Sequence, residues 1–159
     1  SLSMSYSIKK DLNKRLETAE KALELNPSHP RSNFSYGQAL TNFGRNEEAL
    51  TYVNKAIELD PQSKRNYEGF FPLLYIALKD WENAITWLNT AYERSPHSRY
   101  FGWKAAVYGK MNDLDSAKEN LKSFLRERPE IKTLEDYEKV APTIIKDILL
   151  EGLKIAGLK

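Results

Sequence analysis

Histidine is the side chain best suited to proton transfer or metal binding near neutral pH, and this sequence contains two. His29 and His97 stand just beyond Pro27 and Pro96, which end predicted helices. Two histidines could together bind a metal ion or act as an acid–base pair. Equivalent places in recurring turns explain both residues without any reaction, however, and this is the interpretation we adopt. We assign them no catalytic role and no metal.

Other patterns that carry catalysis are missing from the sequence. It has no glycine-rich phosphate loop, no G-x-S-x-G elbow and no H-E-x-x-H pair. The lack of cysteine excludes disulfides, thiol catalysis and cysteine-based metal sites. Neighbouring carboxylates such as Glu47 and Glu48 stand where a helix is expected to begin, and there they complement the helix dipole. We predict that the chain is not an enzyme and has no cofactor.

Basic and aromatic residues are mixed in two short stretches, Lys64–Tyr67 and Arg99–Lys104. Such stretches can bind nucleic acid, because aromatic rings stack on bases while cations contact phosphates. Both stretches stand at predicted helix starts, however, where aromatic residues pack inwards. The formal net charge of the chain is only +2. We therefore predict no nucleic-acid partner.

A nine-residue pattern recurs four times along the chain. AEKALELNP (19–27), VNKAIELDP (53–61) and LNTAYERSP (88–96) align without gaps, and LKSFLRERP (121–129) is a divergent fourth copy. The closing prolines are 34, 35 and 33 residues apart. Each copy has the apolar spacing of an amphipathic helix, which ends because the residue before a proline disfavours helical geometry. The pattern predicts helical units of about 34 residues.

This period resembles that of the tetratricopeptide repeat. Gly37 and Ala49 are small, which allows two antiparallel helices to approach closely. Ala105 and Ala117 repeat this pair in the fourth unit. The second unit resembles the family best, and its characteristic positions hold Asn33, Tyr36, Gly37, Leu40, Ala49, Val53, Ala56 and Pro61.

The resemblance implies an all-α fold, an α-α superhelix of antiparallel helix pairs. We expect a cloning remnant or disordered start at residues 1–5 and about 3.5 repeats over residues 6–129. Capping helices should follow at residues 130–159, since stacked repeats need a terminal cap. The first unit has only its second helix, predicted over residues 6–25.

For four residues the sequence predicts a local feature of the backbone or of the side chain. Gly44 and Asn112 stand between paired helices, where a left-handed helix cap is needed. Pro72 falls inside a predicted first helix, where it removes the hydrogen bond to the Glu68 carbonyl, so we expect a kink. Lys104 takes the place of an apolar residue, and its alkyl stem can lie along the core while the ammonium reaches water.

The last thirty residues predict two further helices. Thr133 to Asp136 form a capping-box-like start of a short helix that reaches Ala141. Pro142 begins a second helix, which Gly157 can close.

The ending from Glu151 to Leu158 is similar to the carboxyl-terminal region of bacterial class III adenylate or guanylate cyclases and of winged-helix transcription regulators. This resemblance implies an alternative function, as a regulatory segment in bacterial signal transduction. Such a segment would act by self-association or by contact with its own effector domain. A longer parent protein could then carry a cyclase domain.

In tetratricopeptide arrays the first helix of each unit lines a concave groove. Aromatic anchors with amide and cationic groups would suit an extended peptide or an amphipathic helix there. For the aromatic residues, packing between repeats is an equally good explanation. Only Arg99 has the charge that the family's carboxylate clamp requires, so we do not predict a chaperone carboxyl terminus as ligand. The groove residues that the resemblance implies are Arg31, Phe34, Gln38, Asn42, Phe70, Leu73, Ile76, Arg99, Trp103, Ala106 and Lys110.

Composition favours one soluble domain. The 159 residues are 41% hydrophobic and 29% charged, and the mean hydropathy is −0.61. No apolar stretch approaches the roughly 18 residues of a membrane span, and no signal peptide is evident. We predict a cytoplasmic protein-interaction scaffold that binds a peptide or partner domain in the groove and does not insert into membranes.

Overall fold

The computed structural model describes the backbone of residues 2–159 and the side chains of residues 8–159. Over this range the chain forms α-helices and two short 3-10 segments, without a β-strand. The predicted start at residues 1–5 lies outside the described side chains. The chain divides into two compact units, residues 1–70 and residues 71–159.

The first unit is built around one helix hairpin. Its helices are α1 (Leu2–Leu25), α2 (Pro30–Thr41), α3 (Asn46–Leu59) and α4 (Lys64–Glu68). α2 packs against both α1 and α3. Pro30 starts α2 at a position where its missing N–H costs no helical bond. The Asp60 carboxylate accepts the Ser63 N–H at 3.2 Å and so begins the 3-10 turn that leads into α4.

The second unit contains two hairpins and a carboxyl-terminal region. α5 pairs with α6 and α7 pairs with α8, while α10 packs against α7 and α8. We call α2, α4, α5 and α7 the first helices of their repeats, and α3, α6 and α8 the second helices. The elements of this unit are α5 (Phe71–Ala77), α6 (Trp81–Arg94), α7 (Arg99–Lys110), α8 (Leu114–Glu127), α9 (Leu134–Glu138) and α10 (Lys146–Ala156).

Small residues bring α2 and α3 into backbone contact. A Cβ added to Gly37 would lie 3.0 Å from both the Ala49 carbonyl oxygen and a methyl of Val53. Ala49 and Val53 are themselves completely buried. Asn33 holds the turn before the hairpin, because its side-chain amide donates to the carbonyls of Pro27 and His29 at 2.9 and 3.0 Å. The close helix crossing predicted from the sequence is confirmed here.

Pro72 breaks its helix instead of kinking it. α4 ends at Glu68 and α5 begins at Phe71, so the prediction of one kinked helix is wrong. Proline lacks an N–H, and its ring crowds the carbonyl four residues earlier. Two intervening residues, Gly69 and Phe70, form a turn. The break coincides with the division between the two units.

The turns within the three hairpins share one backbone conformation. Gly44 and Asn112 have φ values of 71° and 62°, which confirms the predicted left-handed caps. The equivalent residue of the third repeat is Lys79, with φ of 60°. In each turn the next residue donates its N–H to a carbonyl five positions earlier. These bonds are Arg45 to Leu40 (3.2 Å), Asp80 to Tyr75 (3.0 Å) and Asp113 to Tyr108 (3.0 Å).

The carboxyl-terminal region follows most of the predicted boundaries. Thr133 and Asp136 form a reciprocal capping box at the start of α9, as predicted. α9 ends at Glu138, three residues before the predicted end. A 3-10 segment, Thr143–Ile145, precedes α10, and Gly157 closes α10 with φ of 108°.

α10 crosses α7 through glycine. A Cβ added to Gly152 would overlap the Ala106 carbonyl group, and one added to Gly109 would overlap the Gly152 carbonyl. Leu149 and Leu153, on either side of Gly152, are completely buried. The backbones of the two helices are therefore in direct contact.

We expect Gly152→Ala to lower the free energy of unfolding. Helix propensity would gain about 1 kcal/mol, but the overlap with Ala106 would cost about 2–3 kcal/mol through forced backbone shifts. Chemical denaturation followed by circular dichroism measures the difference. Gly69→Ala is the matched control, because its Cβ would meet no atom within 4 Å. Equal stability of the two variants would contradict the crossing.

Lys79→Gly should have the opposite effect and stabilise the protein. A left-handed backbone costs a non-glycine residue about 1 kcal/mol, and the Lys79 side chain is exposed. We expect a gain of about that size in thermal or chemical unfolding. Lys79→Ala, which removes the side chain but keeps the unfavourable conformation, should bring no such gain.

Candidate partner-binding surfaces

Three aromatic side chains of the first unit form a patch at α2 and α4. The ring of Phe34 lies 4.8 Å from that of Tyr67 and 5.9 Å from that of Phe70, centroid to centroid. Tyr67 is buried, whereas Phe34 and Phe70 are half-buried. We call these three residues the aromatic patch. The structure thus brings together two of the residues implied as groove-lining, Phe34 and Phe70.

Polar residues flank Phe34 along α2. Arg31 and Gln38 lie one turn before and after it, and both are exposed. Asn42 follows α2 as its cap, and its side-chain amide donates to the Gln38 carbonyl at 3.3 Å. Arg31 and Gln38 are therefore open to a partner, while Asn42 is engaged with its own helix.

The implied groove residues of α5 and of mid-α7 contribute little exposed surface. Leu73 is half-buried, and Ile76 is completely buried in the core of the second unit. Ala106 is also completely buried, because α10 covers it. Ile76 and Ala106 thus serve packing, and we leave them out of any surface for a partner.

A cleft of about 190 Å³ opens in the second unit between the start of α7, the end of α8 and α9. Its floor is aromatic, and two arginines stand at its sides. Val140, at its rim, is 52% exposed, which is high for an apolar residue. We call this feature the second-unit cleft, and its lining residues are Arg99, Trp103, Phe124, Arg128, Tyr137, Val140 and Pro142.

Trp103 and Tyr137 close the floor of this cleft. They are only 9% and 4% exposed. Burial raises the pKa of the Tyr137 hydroxyl well above its usual value, and the nearby Trp103 side chain offsets only part of this rise. The ring of Tyr137 also packs edge-on against Phe124 at 5.7 Å. Trp103 thus belongs mainly to the core and reaches a partner only through the cleft.

The two arginines of the cleft differ in their partners. Arg128 pairs with Glu130, and this hydrogen bond lowers the pKa of the Glu130 carboxyl. Arg99 donates instead to the Tyr100 hydroxyl at 3.0 Å, with its guanidinium 4.9 Å from the centre of that ring. Arg99 therefore keeps a cationic surface that no carboxylate of residues 8–159 neutralises.

Two lysines of α7 are engaged inside the second unit. Lys104 lies 5.2 Å from the ring centres of Tyr92 and Phe101, and burial lowers the pKa of its ammonium. The expected placement, with the ammonium reaching water, holds only in part, because the ammonium packs against these rings and is partly desolvated. Lys110 binds Glu151 of α10 at 2.7 Å. Although the resemblance implied Lys110 as a groove residue, the ion pair ties it to the carboxyl-terminal helix.

Both histidines lie just before a first helix. His29 is the residue before α2, and His97 Nδ1 accepts the backbone N–H of Arg99 at 3.1 Å. Among the described side chains, no three His, Asp or Glu residues gather as metal ligands would. No described helix is long and apolar enough to cross a bilayer.

Comparison with known families identifies the repeat in the first unit. Two tetratricopeptide repeat models match the chain, one over residues 16–64 and one over residues 1–29. Over residues 1–64 the chain is therefore similar to tetratricopeptide repeats. These matches confirm the repeat predicted from the copies at residues 19–27 and 53–61.

A curated relative is much longer than this chain. The Protein CTR9 homolog of Arabidopsis thaliana is 29% identical over 145 residues. The alignment covers 88% of this chain but only 12% of that protein. The chain therefore spans a small part of the length of this relative.

Solved structures share the fold. A crystal structure of MamA superposes with a TM-score of 0.61 at 16% identity, covering 98% of this chain and 92% of that one. A MamA RS-1 ArsTM double mutant gives 0.64 at 14% identity, covering 97% and 90%. This likeness concerns the fold alone, and it confirms the predicted all-α fold class. The similarity of the tail to cyclases and winged-helix regulators stays a prediction.

Sequence reasoning missed several residues of these surfaces. Tyr67 was noted only within a basic stretch, and Arg128, Tyr137 and Val140 were not singled out. The cleft depends on the path of the chain between α8 and α9, which no repeat pattern describes. Of its lining residues, Arg99 and Trp103 were the ones that the resemblance had implied as groove residues.

Alkaline pH should test the burial of Tyr137. Its pKa is raised in the folded state, so the unfolded chain loses this proton first, near pH 10. Burial of the protonated Tyr137 hydroxyl contributes fully to the free energy of unfolding below that pH. This contribution is lost as the pH rises above it, by up to about 1.4 kcal/mol per pH unit. Denaturation at pH 8 and pH 11 should show a smaller decline for Tyr137→Phe than for the wild type. Equal declines would contradict the buried hydroxyl.

Proposed function

We propose that this chain is a non-catalytic scaffold that binds a peptide or a partner domain through the exposed faces of its first helices. The similarity of residues 1–64 to tetratricopeptide repeats supports this proposal, as does the fold shared with MamA. Recognition by such a scaffold depends on surface shape and charge. The described side chains offer several such surface features.

The aromatic patch is the observation that carries the proposal. Two of its rings, Phe34 and Phe70, stay half-buried although they pack on each other. Aromatic side chains of this kind act as anchors in protein interfaces, since they bury a large area at low entropic cost. Arg31 and Gln38 beside them supply polar groups that can fix the orientation of a bound chain.

The second-unit cleft provides a further recognition point. Its volume of about 190 Å³ suits one or two side chains of a partner. Arg99 stands at its edge, and Val140 offers exposed apolar surface at its rim. Leu73 supplies half-buried apolar surface elsewhere in that unit. A cytoplasmic location, self-association and the regulatory-tail alternative stay predictions from the sequence.

Selection from a phage-displayed random peptide library, with the full chain immobilised, tests the proposal. The dissociation constants of selected peptides are then measured by fluorescence anisotropy. Phe34→Ala should weaken peptides that bind the first unit by about tenfold or more, because an anchor contributes over about 1.4 kcal/mol. Arg99→Ala should do the same for peptides that bind the second unit.

Lys55→Ala provides the control, since Lys55 is exposed on a second helix, α3. Circular dichroism checks that each variant keeps its helices. The proposal fails if no peptide is enriched. It also fails if every selected peptide binds Phe34→Ala and Arg99→Ala as tightly as Lys55→Ala.

A further inference from the structure

The small net charge of the chain conceals a separation of charge between its two kinds of helix. The first helices contain a single carboxylate, Glu68, which is buried and pairs with Lys64 at 3.3 Å. α5 has no charged residue at all. The same helices carry six cations, namely Arg31, Lys64, Arg65, Arg99, Lys104 and Lys110.

The second helices of the three hairpins have the opposite balance, whereas α1, which was predicted to be the second helix of the first repeat, holds five cations and four carboxylates over residues 8–25. α3, α6 and α8 hold five cations, namely Lys55, Arg94, Lys118, Lys122 and Arg126. Their eight carboxylates are Glu47, Glu48, Glu58, Glu82, Glu93, Asp115, Glu119 and Glu127. The first helices are thus basic, and their hairpin partners α3, α6 and α8 are acidic. A uniform surface of net charge +2 would show no such division.

Three of the first-helix cations are free to meet a partner. Arg31, Arg65 and Arg99 are exposed, and within residues 8–159 none forms an ion pair with a carboxylate. The other three are engaged by Glu68, by the Tyr92 and Phe101 rings, or by Glu151.

Two of the free arginines accompany the apolar surfaces. Arg31 lies one turn before Phe34 on the same side of α2. Arg65 lies two residues before the buried Tyr67, so these two side chains leave different sides of α4. Arg99 lines the second-unit cleft together with Trp103. Each surface therefore combines an apolar contact with a guanidinium, which binds carboxylates with two parallel hydrogen bonds.

We infer that the partner of these faces is an acidic peptide segment, in which Asp or Glu side chains flank a large apolar residue. This inference rests on the proposed function and specifies the chemistry of the partner. The apolar residue would contact the aromatic patch or the cleft, and the flanking carboxylates would meet Arg31 or Arg99. Complementary charge would also speed association and exclude basic partners.

Single-stranded nucleic acid fits these faces less well. The rings of the aromatic patch pack on each other at 45° and 83° and so do not present parallel platforms for bases. Three free cations would neutralise few phosphates, and the acidic second helices would repel the remaining backbone.

Two phage-displayed libraries, panned on the full chain, test the inference. One combines Asp and Glu with Phe, Leu, Trp, Ser and Gly, and the other replaces Asp and Glu by Lys and Arg. We expect enrichment from the acidic library alone. Selected peptides should bind at least about fivefold more weakly to Arg31→Glu or to Arg99→Glu, and more weakly at high salt.

Lys55→Glu makes the same charge reversal on a second helix and should leave the affinity within about twofold. Enrichment of basic peptides, or equal weakening by Lys55→Glu, would overturn the inference. Displacement of a selected peptide by oligo-dT at lower concentration would overturn it in favour of nucleic acid. Neutral peptides from the unbiased library, with no acidic enrichment, would refute the acidic partner and leave the scaffold intact. No enrichment from any library would refute both.

Discussion

Contact between helix backbones at small residues is the constraint on which both units depend. At Gly37 the backbone of α2 meets the Ala49 carbonyl of α3, and at Gly152 the backbone of α10 meets that of α7. A side chain at either glycine would separate the helices and leave voids among the buried leucines around them. Because the helices are fixed at this distance, their outward faces hold a defined arrangement of side chains. The surfaces that we propose for partner binding share that rigidity.

The break at Pro72 shapes the surface of the first unit as well as its boundary. Since α4 ends at Glu68, Phe70 lies in a turn, where its N–H bonds to the Tyr67 carbonyl at 3.1 Å. In that position its ring meets Phe34 edge-on. The aromatic patch therefore combines one residue from a regular helix with one that the proline releases from its helix. A residue that looks like a defect in the repeat thus contributes to the most distinctive surface of the unit.

Much of the fold could be predicted from the sequence, because repeat spacing, prolines and small residues act locally. Gly44, Asn112, the Thr133 capping box and Gly157 all have the roles that their residue types indicate. The left-handed turn at Lys79 could not be predicted, since the hairpin imposes that backbone on an unsuitable residue. The cleft was equally inaccessible, because it depends on how α9 returns to α7 and α8. The groove residues implied by the resemblance predicted the surface only in part. Phe34 and Phe70 meet at a surface, whereas Ile76 is buried.

The position of Trp103 in the second-unit cleft gives the second unit an optical property of its own. The indole is one of three aromatic side chains that line the cleft together with two arginines. Indole fluorescence depends on the polarity around the ring, which a molecule that enters the cleft would change. The protein thus carries an intrinsic emission signal for occupancy of this site, and no added dye is needed to follow it.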